Sequence, residues 1–282
     1  MPKTATTNKL STQYQKLSDI EHVLKAPDTY IGSTDKDKTT NWILNGMGNM
    51  EHKEYTWIPG LYKCFDEGLV NARDHYIRMT TLGVAGDDGT KNHPVRNINV
   101  EIDKETGMIT IMNDGNGIDI AKHPEHDMWI PEMIFGHLRT STNYDQTQKR
   151  IVGGKNGFGF KLVLIYSLYG RVETVDHTRG LKYIQEFKTN LSEICPPSVT
   201  KAKCKPYTKV SFIPDYKRFG VDRLSSSMFN LMKKRVYDIS AITDKSVKVT
   251  FNKEPVASPP LSFISLINLF KPSLSVRLAK YE

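Results

Sequence analysis

Apolar positions along the chain change their period from segment to segment, and the changes lay out its elements. Leu61, Cys64, Phe65, Leu69 and Ala72 recur at three- and four-residue spacing after Pro59-Gly60, the stripe of an amphipathic helix. Ahead of it, Ser18 stands three residues before Glu21, with Val23 and Leu24 following; this predicts a short helix opened by a capping box and ended by Pro27. Residues 33–54 are polar and predict a loop or hairpin, and residues 81–94, rich in Gly, Asp and Asn, a loop. Ile98–Ile102 alternates, Glu105-Thr106-Gly107 turns and Ile109–Met112 returns, a hairpin. Arg171–Asp176 and Leu181–Lys188 read as strands around the turn His177–Gly180. Thr208–Ile213 is another strand, Val221–Ile239 has helical period, and Val247–Phe251 is a last strand. Helices and antiparallel strands in this order predict an α+β sandwich, a sheet with helices layered on one face. Residues 1–17 are polar and read as a mobile arm. Pro255–Glu282, proline-broken and apolar over Phe263–Phe270, reads as the start of a second domain.

Composition narrows the class without choosing a function. Charged residues at 25% and apolar ones at 38% are those of a folded globular chain. The net charge of +8 permits contact with nucleic acid, but the lysines are spread rather than clustered. Cys64, Cys195 and Cys204 form no C-x-x-C pair, and Cys195 and Cys204 have no nearby histidine at zinc spacing, so buried or incidental thiols are expected rather than a metal site. No apolar run reaches the length of a membrane span and the polar start is no secretory signal. No membrane partner and a reducing intracellular compartment are therefore expected.

Four stretches carry candidate chemistry. On the helix after Pro59, Glu67, Asn71 and His75 are four apart and share a face. An amide oxygen is a hard ligand suited to Mg²⁺ and a carboxylate beside it can orient or deprotonate water, although a solvated polar face has the same pattern. The strand over Ile109–Met112 ends in Asn113-Asp114-Gly115-Asn116-Gly117-Ile118. That is either an ordinary turn or one with room for a flat base above its glycines, where Asn113 offers both donor and acceptor to an adenine edge. Thr140-Ser141-Thr142-Asn143 supplies hydroxyl and amide groups that cap a loop or bind phosphate oxygens. Val152–Lys161 sets glycines and lysines before the apolar run Leu162–Tyr166, a surface turn or a phosphate cradle of backbone N–H groups. It fits neither a Walker loop, because Phe160 stands where lysine is needed, nor a dinucleotide fingerprint, because Leu162 replaces the third glycine.

The order of these stretches is more specific than any one of them. Together with Leu24–Ser33, Pro59–Lys63, Phe65-Asp66-Glu67, Val70-Asn71-Ala72, Ile134-Phe135-Gly136, Asn143-Tyr144-Asp145 and Gly153–Gly159, the chain resembles the GHKL ATPases, the superfamily of gyrase, MutL, a chaperone class and sensor histidine kinases. Within it the chain is similar to the ATPase region of eukaryotic-type type IIA DNA topoisomerases over most of residues 14–255. The resemblance implies a GHKL (Bergerat) ATPase sandwich with a mixed, mostly antiparallel sheet. It divides the chain into an N-terminal dimerisation arm (1–17), the ATPase domain (18–255) and the start of an incomplete transducer domain (256–282). It also implies ATP and Mg²⁺ as ligands. Glu67 takes the place of the general base and Asn71 that of the Mg²⁺ ligand; Asn113 takes the adenine-contacting place. Ser141, Thr142 and Asn143 would contact ribose or phosphate. Gly154, Lys155, Asn156, Gly157, Phe158, Gly159, Phe160 and Lys161 would wrap the triphosphate. A homodimer closed by ATP, double-stranded DNA handled by the full-length enzyme, and a nuclear or, if viral, host-cell or virion location follow from the same resemblance. No counterpart is expected here of the transducer lysine or of the DNA-cleaving tyrosine. Three residues depart from the pattern: His75 replaces the usual asparagine, Arg73 an alanine and Phe160 a small residue, which places a positive group near the phosphates and changes the packing of the loop. A GHKL chaperone or mismatch-repair ATPase would share the pocket but lack the Pro-Asp-Thr-Tyr-Ile-Gly-Ser and Asn-Tyr-Asp stretches; a non-hydrolysing dimerisation or DNA-clamp module is the alternative from another class.

Overall fold

The computed structural model describes residues 17–45, 49–83, 91–138 and 159–256. The first helix, α1 (Asp19–Lys25), opens on Ser18, whose hydroxyl accepts from the Glu21 N–H at 3.3 Å while the Glu21 carboxylate accepts from the Ser18 N–H at 2.8 Å. The reciprocal cap satisfies two donors that a helix start leaves open. Pro27 does end α1, and it also begins a second short helix, α2 (Pro27–Tyr30), at a position where its missing N–H costs nothing. The polar stretch that follows is a hairpin of β1 (Asp37–Leu44) and β2 (Met50–Trp57).

The long helix α3 (Pro59–Leu82) extends past the predicted stripe into residues expected to be loop. After it come β3 (Asn97–Ile102), β4 (Ile109–Asp114), α4 (Ile130–Gly136) and α5 (Gly159–Ile165). Then follow β5 (Ser167–Asp176), β6 (Leu181–Lys188), β7 (Glu193–Ile194), β8 (Ser198–Lys201) and β9 (Tyr207–Pro214). A 3₁₀ turn over Tyr216–Phe219 leads to α6 (Ser226–Ala241), β10 (Lys248–Phe251) and β11 (Glu254–Pro255). Helix α6 starts later than its apolar period suggests, because Gly220 turns left-handed (φ +64°) and the Ser225 side chain caps the first turn from the Met228 N–H.

The main sheet runs β11-β10-β3-β4-β9-β5-β6-β7, with β8 on β6. Its pairs are antiparallel except β10 beside β3, which is parallel. The chain is therefore α+β, with a mixed and mostly antiparallel sheet. Helix α3 packs on α5, α6 and β4, and α6 also packs on β10. The core between them holds Phe65, Leu69, Ile98, Val100, Phe212 and Met232, all essentially free of water, each such side chain contributing about 2–3 kcal/mol of burial. The apolar run after the glycine-rich loop lies in this core: Val163, Leu164, Ile165 and Tyr166 are buried. An ion pair, Arg235 Nε to Asp66 Oδ1 at 2.7 Å, ties α6 to α3 beside the site. The proposed dimerisation arm (1–17), save Leu17, and the proposed transducer start (256–282), save Val256, lie outside the described residues.

Candidate active site

The layering leaves a cavity of about 550 Å³ between α3, the end of β4, α4, α5 and β9. Helical period puts Glu67, Asn71 and His75 on its wall together, as the four-residue spacing requires. Strand period does the same for Asn113: it shares the inward face of β4 with Ile109 and Ile111 and is 8% exposed. Its Nδ2 donates to the Asp114 carbonyl at 2.9 Å. Beside it in register on β9 stands Thr208, with Val210 opposite Ile111, and all of them line the cavity.

The Glu67 carboxylate is held between two elements. Lys63 Nζ, one turn earlier, lies 3.0 Å from Oε2. On the other side stands Gly159, the first residue of α5: a Cβ there would meet Glu67 Oε1 at 1.9 Å. Glycine at 159 lets a carboxylate occupy the place of a side chain.

The glycines of the turn after β4 are closely packed. A Cβ at Gly117 would meet the Val175 carbonyl oxygen at 1.9 Å, and one at Gly115 (φ +103°) would meet Val95 at 2.7 Å and His75 Nε2 at 3.0 Å. The place of each missing side chain is taken by protein, and Gly117 still lines the cavity. The turn is clamped further by the Ile118 N–H to Thr174 Oγ1 (3.0 Å), and Asp114 accepts from the N–H groups of Arg96 and Asn97 at 2.6 and 2.8 Å.

Two of the three departures lie at the cavity and one does not. Phe160 packs edge-on against Phe135 and Phe212, with centroids 5.6 and 5.9 Å away, and its ring covers Gly68. A large side chain fits there because Gly68 leaves room for it. His75 accepts from Arg78 Nη2 at Nδ1 (3.1 Å). Burial pushes its imidazole down to about 4, the Arg78 charge pushes the same way, and the Asn116 main chain opposes them. Arg73 instead donates from Nη2 to the Ile242 carbonyl at 3.2 Å, the C-cap of α6, where a cation suits the negative end of a helix. It brings no charge to the cavity. Lys161 does line the cavity, and burial pushes its ammonium down to about 8.

Glu67, Asn71, Asn113, Gly159, Phe160 and Lys161 are thus brought together. Ser141, Thr142, Asn143, Gly154, Lys155, Asn156, Gly157 and Phe158 lie outside the described residues. Sequence reasoning used Ile134-Phe135-Gly136 for the resemblance but gave the stretch no helix and no place in the site, where Ile134 and Phe135 of α4 line the cavity. Its signal was present: Pro131 at the first turn and apolar residues at 130, 134 and 135.

The family model described as histidine kinase-, DNA gyrase B- and HSP90-like ATPase matches residues 58–193. DNA topoisomerase 2 of Acanthamoeba polyphaga mimivirus is 41% identical over 281 residues, covering 96% of this chain and 21% of the relative. That of Candida albicans is 44% identical over 244 residues, covering 86% of this chain and 16% of the relative. The crystal structure of the ATPase region of Saccharomyces cerevisiae topoisomerase II superposes with a TM-score of 0.84 at 40% identity, over 94% of this chain and 66% of that one. The chain spans about a fifth or less of the length of these curated relatives.

Proposed function

This chain belongs to the histidine kinase-, DNA gyrase B- and HSP90-like ATPase family, and from that premise we propose that it is the nucleotide-operated gate of a type IIA DNA topoisomerase. In this reading the chain binds Mg·ATP in the α3–β4 cavity, dimerises on binding, and in the full-length protein couples hydrolysis to passage of one DNA duplex through another. The observation that carries the reading is Glu67, seated between Lys63 and the bare Cα of Gly159 in the same cavity as Asn71 and Asn113.

Each residue takes a role that its surroundings allow. Asn113, with Nδ2 engaged by the Asp114 carbonyl, turns Oδ1 toward the exocyclic amino group of a base. Ile111 and Val210 supply the apolar wall that a flat ring stacks on. Asn71 would hold a Mg²⁺ brought in with the nucleotide, its amide oxygen being a hard ligand suited to that ion. When bound, such an ion would neutralise charge on the phosphates. Glu67 orients the attacking water and takes its proton as the water oxygen bonds to the γ-phosphorus and ADP leaves. Lys161 adds positive charge near the start of α5. Among the described residues no helix is long and apolar enough to cross a membrane. A nuclear or virion setting accords with eukaryotic and mimivirus relatives.

Calorimetry with a non-hydrolysable ATP analogue and Mg²⁺ tests the first step; no binding at millimolar nucleotide refutes it. In the full-length protein Glu67→Ala is expected to keep analogue binding nearly intact and abolish hydrolysis. Loss of both together would make Glu67 a structural residue.

A further inference from the structure

His75 and Arg78 form a pair on the cavity wall that the roles above leave unused. A guanidinium only donates. The 3.1 Å contact from Arg78 Nη2 therefore makes His75 Nδ1 an acceptor and fixes the neutral imidazole with its proton on Nε2. That Nε2 is shielded from solvent, wedged against Gly115 beside the Asn116 main chain. The ring is thus locked on one side by the Asn113–Gly117 turn and presents its other nitrogen to Arg78.

The consequence falls on Arg78. Its hydrogen-bond partner is a neutral ring, so the pairing does nothing to cancel its charge; Asp74, one turn back, acts on that charge through space. Arg78 lines the cavity and is exposed, so the remaining N–H groups of its fork are open to a ligand there. Position along α3 says what they meet. Glu67 faces the bond to be cleaved, and His75 lies eight residues on, about 12 Å further along the helix axis. Arg78 folds back onto His75, so its guanidinium sits near that level, beyond the reach of the terminal phosphate and beside the turn that carries Asn113.

We propose that Arg78 contacts the nucleoside-proximal phosphate of the bound nucleotide and that His75 is the positioning residue that aims it. The proposal rests on reading the cavity as a nucleotide site. A planar fork with one N–H tied to an imidazole has fixed direction, and a phosphate oxygen is the acceptor that matches it. Because the imidazole stays neutral through the physiological range, His75 contributes orientation rather than charge.

The test uses the 282-residue chain, with a non-hydrolysable ATP analogue, AMP and adenosine as probes and thermal melting as the check on folding. Arg78→Ala is expected to weaken analogue and AMP binding by about ten- to a hundredfold, the range for a charged hydrogen bond, and to leave adenosine binding unchanged. His75→Phe keeps a ring against Gly115 but removes the acceptor, and is expected to cost about tenfold on AMP and nothing on adenosine. His75→Gln, which restores an acceptor, should recover to within about threefold. Combined with Arg78→Ala, His75→Phe should add nothing further, because the two act as a unit. Equal losses for AMP and adenosine, or no loss from Arg78→Ala, overturn the phosphate contact. Additive losses in the double variant, or failure of His75→Gln to recover, overturn the positioning role. Arg78→Lys, which keeps charge without the fork, serves if the alanine variant does not fold, and is expected to lose AMP affinity by a smaller factor; unchanged affinity overturns the directional contact. A wild-type chain that binds none of the probes instead refutes the nucleotide reading.

Discussion

Replacing Gly159 by alanine separates the chemistry of the site from its stability. The new Cβ would stand 1.9 Å from Glu67 Oε1, 2.8 Å from Cδ and 3.3 Å from Cγ. The nearest approach that real Cβ atoms show is 3.0 Å, so the carboxylate has to retreat by about 1 Å. The obstacle is the end of a flexible side chain rather than backbone, so the fold accommodates it. Retreat strains or breaks the Lys63 contact, worth at most about 1 kcal/mol for a pair this exposed. Alanine at the first position of α5 returns about as much through helix propensity. Stability should therefore change by less than about 1 kcal/mol. Catalysis has no such compensation: a general base misplaced by 1 Å costs on the order of a hundredfold, or about 2.7 kcal/mol of barrier. Single-turnover hydrolysis of labelled ATP, with protein in excess, reads the chemical step even when turnover is slow. Calorimetry with the non-hydrolysable analogue reads binding. The expected result is analogue affinity within about threefold of wild type and hydrolysis about a hundredfold slower. Hydrolysis within threefold of wild type would show that the carboxylate does not work from where it sits against Gly159.

Two further outcomes follow from side chains around the site. Phe160→Ala removes a ring held by Phe135, Phe212 and Gly68 and should destabilise the domain by about 3 kcal/mol in urea denaturation, as core aromatic truncations do; a loss under 1 kcal/mol would mean the ring is not part of the core. Glu173, 3% exposed, is met by the Tyr207 hydroxyl, Lys182, Lys209 and Arg171. Burial alone would push its carboxyl up, but these partners outweigh it and hold it at about 2, against an ordinary 4.5. The unfolded chain takes up the proton first on acidification, so this stabilisation is complete above about pH 4.5 and is lost as pH falls toward 2, up to about 3 kcal/mol. Glu173→Gln should lower the melting temperature at pH 7 and flatten that acid limb; an unchanged profile below pH 4.5 would refute the assignment.

What the sequence made legible is what depends on local period. Ser18 and Glu21 cap α1 because the box closes within four residues, and Glu67, Asn71 and His75 share a face because 3.6 residues make a turn. Asn113 points inward because strand alternation from Ile109 leaves it no other direction. What a side chain or a bare Cα meets across the fold is not a local property, and the readings that needed it went astray. Arg73 was expected near phosphates and instead caps α6, because Ile242 ends that helix beside it. Phe160 looked misplaced in a glycine-rich loop, yet its partners come from residues 68, 135 and 212. The parallel seat of β10 beside β3 joins segments about 150 residues apart. The glycines make the point most sharply. A sequence shows only that a side chain is missing, and it left a plain turn and room for a ligand equally open. At Gly115 and Gly117 the vacancy is filled by His75 and the Val175 carbonyl, which hold a turn. At Gly159 it is filled by the carboxylate that does the proposed chemistry. The same residue type therefore builds the frame of the site in two places and seats its general base in a third, and only the atom opposite distinguishes them.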